Sequence, residues 1–320
     1  MSRRDIAESF VAPGGPIETL EQRRLLSGAS FSNSTNNVTV EGTANSDLIT
    51  IRNIQFRTEF TPEDSNFTQV IEGGDWIEIK INGKPYYFDR VRVDRIKISS
   101  FRGNDRILVQ QDELDESLSV KKNRDDSITR KLAATSPISI RLEVFAGGGD
   151  DTIIGGNARD TLSGDEGNDL ILGGNNNDSL FGGAGRDEIQ GGNGNDFIAG
   201  NAGNDFLLGN KGDDTILGNE NDDSIFGNEG NDVLSGGDGA DRINGGDDND
   251  TLDGGGGRDT LNGEEGNDSL QGGNGDDLLF GNNGNDTLRG NRGNDTLYSG
   301  QGNDTTDGGE DRDLIDDVLD

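Results

Sequence analysis

The 320-residue chain contains neither cysteine nor histidine. Without cysteine there is no disulfide and no thiolate metal site, and composition leaves no trace of a redox compartment. Without histidine, Ser-His-Asp and Cys-His nucleophilic catalysis is excluded, and so is the H-E-x-x-H zinc helix. Apolar residues make up 28% and aromatics 5% of the chain. No stretch approaches the roughly 20 apolar residues that a membrane-spanning helix needs. The opening "MSRRDIAESFVAPGGPIETLEQRRLLSGAS" also lacks the apolar run of a Sec signal peptide. Basic residues are scarce in one half only. Residues 1–145 carry 22 acidic and 20 basic side chains, whereas residues 146–320 carry 40 and 8, for a total net charge of −34. Such a charge repels phosphate and argues against nucleic acid as a partner.

What the second half does have is a nine-residue unit repeated nineteen times without insertion or deletion, from Ala146 to Asp316. Counting from Ala146, the sixth position is Asp151, Asp160, Asp169, Asp178, Asp187, Asp196, Asp205, Asp214, Asp223, Asp232, Asp241, Asp250, Asp259, Asp268, Asp277, Asp286, Asp295, Asp304 and Asp313. The eighth position is Ile or Leu in every unit but the eighteenth, which has Thr306. Position one is Gly in seventeen units, position two is Gly or Asn in seventeen, and position four is Gly in fourteen. Most replacements at position four are Asn or Asp, which tolerate positive φ; Ala158 fits poorly. Positive φ at positions one, two and four is therefore expected to make a tight turn whose carbonyls lie beside the Asp.

Positions seven to nine read as a short strand with position eight facing inward. Six turn residues and three strand residues per unit, two units per coil, predict an all-β fold. It is a right-handed parallel β-roll or β-helix solenoid of nonapeptide repeats, whose core is a ladder of Ile and Leu. The pattern resembles the hemolysin-type, or RTX, calcium-binding repeat, G-G-x-G-x-D-x-U-x. The clearest copies are "GGNGNDFIA" from Gly191 to Ala199 and "GGAGRDEIQ" from Gly182 to Gln190. The resemblance implies Ca²⁺ held between neighbouring coils by turn carbonyls and by the position-six Asp of units n and n+2. Asp151 would share an ion with Asp169, Asp160 with Asp178, and so on. Nineteen units taken two apart give 17 such pairs.

Calcium takes six to eight oxygen ligands, which suits carboxylates and carbonyls. Without it, carboxylates stacked about 4.8 Å apart repel by roughly 3 kcal/mol at an effective dielectric near 20. With so few apolar residues to oppose chain entropy, the array is expected to be disordered without calcium and to fold on binding it.

The chain divides into residues 1–37, a leader that is disordered or a short helix; residues 38–145, a β-rich capping region; residues 146–316, the roll; and the tail 317–320. Ile17 to Leu26 can form a short helix, and "LEQRRLLSGAS" resembles the leader of large bacterial secreted proteins with β-helical repeats. "GTANSDLIT" and "SFRGNDRIL" place Asp47 with Ile49, and Asp105 with Ile107, at the spacing of the repeat. They read as degenerate units that start the roll early. "WIEIKINGKPYYF", from Trp76 to Phe88, alternates around Asn82-Gly83 and predicts a hairpin. Trp76, Tyr86 and Tyr87 are expected to pack in this cap, with a carbohydrate site as the alternative. Members of the family exported by a type I system carry an extended C-terminal signal; here four residues follow the last unit.

Odd and even units should lie on opposite sheets. The even sheet carries Thr or Ser at position seven in seven of nine units, while the odd sheet presents Leu170, Leu172, Phe206, Leu208, Phe226, Phe280 and Tyr298. Self-association or a surface partner is expected on the odd sheet. The functional expectation is a secreted, non-enzymatic calcium-binding β-roll with a structural or adhesive role. The alternatives are a non-catalytic module of a polysaccharide-acting secreted enzyme and a calcium-dependent ice-binding protein. Ice binding calls for paired Thr or Asn columns, yet position three has no Thr in any unit.

Overall fold

A computed structural model describes residues 141–316 in full. Before them it describes, as backbone, the strands Ser30–Ser32, Asn37–Glu41, Leu48–Phe60, Gln69–Ile81, Lys84–Asp89, Arg95–Ser99 and Arg106–Val109. The expected leader, the turn Asn82-Gly83, Asp47, Asp105, the tail and the packing of Trp76, Tyr86 and Tyr87 lie outside the described residues.

Within the array the strands from Thr161–Glu166 to Thr305–Glu310 have six residues each rather than three. Leu170–Asn175, for example, takes positions seven to nine of one unit and one to three of the next. Strand structure runs through position one because that glycine is extended; its φ is not positive, contrary to the expectation from composition. Only positions four to six remain as turn. Burial along a strand such as Glu188–Asn193 follows the pleat: positions eight and one are buried, seven and nine are exposed or half-buried, and three is exposed.

From Thr161–Glu166 to Thr296–Gln301 every strand pairs in parallel with the strands 18 residues before and after it, in one unbroken register. Ile171 stands opposite Ile153 on one side and Ile189 on the other. The strands from even units belong to a sheet of thirteen strands and those from odd units to a sheet of fourteen, four strands of each preceding the first full unit's own strand. Two facing columns of Ile and Leu, Ile153 to Leu297 and Leu162 to Leu288, meet between them with almost no exposure. This core is two aliphatic side chains wide per coil and runs the length of the solenoid. It begins with Leu142, Val144 and Ala146 on the eight-residue strand Arg141–Gly148.

Both sheets continue toward the N-terminus. Ile107 is in register with Ile153, and Ile49 with Ile107. Gln69–Ile81 and Lys84–Asp89 pair antiparallel with Ile81 opposite Lys84. Among the described residues there is no helix, and none therefore long and apolar enough to cross a membrane.

Candidate metal centre

Turn geometry comes from positions two and four. Eighteen of the nineteen units hold both at positive φ, as in Gly174 (115°) with Asn176 (70°). Asp165 and Glu264, which depart from the Gly/Asn preference at position two, are also held there, both at 75°. This orientation sets the carbonyls of positions two and four against the following coil. A Cβ added to Gly167 would stand 1.9 Å from Gly149 O, the same position one coil earlier.

Position one is glycine for a different reason, close approach. A Cβ at Gly227 would lie 2.1 Å from Asp232 Oδ2 and 2.6 Å from Gly245 O. The missing side chain leaves a cradle in which a carboxylate oxygen of one unit and a main-chain carbonyl of the next coil approach the same point.

All nineteen position-six residues fall into two columns, one at each edge of the roll. Each of the 17 pairs expected from the sequence is brought together: Oδ1 of one Asp accepts the backbone N–H of the Asp one coil earlier, at 2.7 to 3.1 Å. From Asp151 to Asp295 these residues are no more than 3% exposed; Asp304 and Asp313, in the last coil, are half-buried. The second oxygen, Oδ2, is buried and lacks any hydrogen-bond partner in every such residue from Asp160 to Asp295. Buried carboxylate oxygens without donors cost several kcal/mol unless a proton or a cation compensates them.

The carboxyls respond accordingly. Burial pushes Asp178, Asp214 and Asp250 up to about 8, and carboxylates one coil away on either side add to the rise. Burial likewise raises Asp187 and Asp223 to about 7, and Asp196 and Asp268 to about 6. In each case the backbone N–H bonded to Oδ1 opposes the shift without cancelling it.

A second column, at position five, escaped the sequence reading. Asn267 Oδ1 accepts the backbone N–H of Asn285 at 2.8 Å, and Asn285 Oδ1 that of Asn303 at 2.9 Å. Asn231 and Asn249 continue the same ladder. Asp213 and Asp276 act alike toward Asn231 and Asn294, and these bonds hold both carboxyls below the usual carboxylate range. Position-five Asn and Asp side chains such as Asn267 and Asp276 thus stitch their coil to the next one forward, while position-six side chains stitch it to the one behind. The recurring Asn-Asp dipeptide was the available signal.

Among the described residues no three acidic side chains converge on one point. The donor set is instead carboxylate oxygens in columns, interleaved with main-chain carbonyls, all hard oxygens and none of them soft ligands. That set fits Ca²⁺, which accepts carbonyls as readily as carboxylates, and it suits no metal that requires nitrogen or sulfur.

Comparison with known families agrees. The model of the RTX calcium-binding nonapeptide repeat matches eight overlapping stretches, 145–180, 172–207, 181–216, 200–234, 217–252, 226–261, 253–288 and 280–315, which together cover more than half of the chain. The chain belongs to this family. RTX repeats bind Ca²⁺ in a β-roll, a structural calcium-binding fold rather than a catalytic one. No curated protein matches the chain.

Proposed function

We propose that this RTX roll acts as a calcium-ordered structural or adhesive module outside the cell, with Asp residues of neighbouring coils sharing the ions. The partnerless Oδ2 columns carry the reading. Their oxygens are already grouped two coils at a time, so bound calcium would supply the charge that the buried carboxylates lack. Extracellular calcium modules work at about 10⁻⁴ to 10⁻³ M. A roll tuned to that range stays open before export and closes outside.

Far-UV circular dichroism during a calcium titration tests this. The β signal is expected to be weak in EDTA at neutral pH and to rise to a plateau with calcium; a full β signal in EDTA would overturn the reading.

Adhesion or self-association is assigned to the odd sheet. There the apolar side chains form separate patches rather than one stripe. Phe206 and Phe226 have ring centroids 5.5 Å apart, Phe280 stacks on Tyr298 at 5.2 Å, and Arg242 and Asn244 lie in strand between them. Charging Leu208 and Phe226 together is expected to abolish any calcium-dependent oligomer seen by light scattering, and an unchanged oligomer would exclude this face.

A further inference from the structure

The array has one turn that breaks its own rule. We propose that the turn Gly155–Arg159 closes without calcium, so that Asp160 and Asp178 do not share an ion although later pairs on the same edge do. The proposal rests on the reading of the array as calcium-binding and refines it.

Four observations converge. Gly156 and Ala158 are the only residues at positions two and four of the array that do not adopt positive φ. Ala has no side-chain oxygen to support that conformation and would carry its Cβ into strain there. The strand entering this turn, Thr152–Gly156, stops one residue early. Its ladder with Leu170–Asn175 accordingly lacks the position-three pair that the next coil makes between Asn175 and Asn193.

Neutral amides fill the gap. Asn175 Nδ2 donates to Asn157 Oδ1, and Asn176 Nδ2 donates to Asn157 O at 2.7 Å. The first of these bonds recurs one coil on, between Asn193 and Asn175; the second, made by a position-four amide, sets this turn apart and places an N–H donor where a donor repels a cation. The oxygen cradle is also skewed. A Cβ at Gly155 would stand 3.0 Å from Asp160 Oδ2 and 2.2 Å from Gly173 O, whereas at Gly164 the order is reversed, with Asp169 Oδ2 at 2.0 Å and Gly182 O at 2.8 Å.

Native mass spectrometry of the full chain at saturating calcium counts the ions. Ala158→Gly is expected to bind one ion more than the wild-type chain, and adding Asp160→Asn to that variant is expected to remove it again. In the wild-type background Asp160→Asn should leave the count unchanged, and this isosteric change keeps an oxygen for the Leu142 N–H. An unaltered count in Ala158→Gly, or an ion lost in the single Asp160→Asn chain, overturns the proposal while leaving the calcium reading intact. No bound ions in any chain overturns both.

Discussion

At the scale of single residues, two glycine positions with similar frequencies have unrelated causes. Position four needs backbone freedom, so Asn176, Asn221, Asp248 and Asp311 replace it while keeping positive φ. Position one needs absence of volume, because Asp Oδ2 and a neighbouring carbonyl occupy the space of a Cβ. The consequence is testable at mid-array. Gly227→Ala forces a Cβ to 2.1 Å from Asp232 Oδ2 and should cost about 1 to 3 kcal/mol, as overpacking does elsewhere. Urea unfolding in calcium measures it. An equal substitution at an exposed position three, such as Glu229→Ala, serves as the comparison and should cost about 0.5 kcal/mol or less.

At the scale of the repeating element, the carboxylate column behaves as one object. Asp223 receives the N–H of Asp205 on Oδ1 and gives its own N–H to Asp241, so it belongs to two successive pairs. Asp223→Asn keeps the shape and the acceptor but removes a charge that two neighbours oppose. The variant is expected to show more far-UV β signal than wild type in EDTA at neutral pH but to melt lower in calcium. Circular dichroism under both conditions checks this reversal of sign, and a variant with less structure in both would reduce Asp223 to a packing role. Strand length was not legible from the repeat, because composition cannot tell a glycine that turns from one that is merely crowded. Neither was the position-five ladder, whose partners lie 18 residues apart.

At the scale of the whole molecule, charge and pH become coupled. Burial pushes Asp178, Asp187 and Asp196 up to about 8, 7 and 6 in the metal-free roll, above their unfolded value near 4. A carboxyl raised by folding binds its proton more tightly in the folded state. Its contribution to stability is therefore complete below about pH 4 and is lost as pH rises through 6 to 8. In EDTA the roll should be more resistant to urea at pH 5 than at pH 8. Calcium inverts the order, since its ligands must be deprotonated, and its affinity should rise over the same interval. Unfolding curves at both pH values with and without calcium decide the matter, and equal stability in EDTA at the two pH values would contradict the account.

Much of this protein was readable without coordinates. A strict nine-residue period carrying one acid and one aliphatic residue specifies a parallel solenoid with a two-column core, because only a coil of 18 residues returns both to the same place each time. It also specifies which carboxylates meet. What tertiary structure alone decided is where each oxygen ends up: Oδ1 tied to the coil behind, Oδ2 buried and unanswered, and the exceptional turn at Ala158 closed by asparagine amides. Those outcomes depend on contacts between coils, and the approach of one backbone to another is a distance that residue identity constrains but does not set.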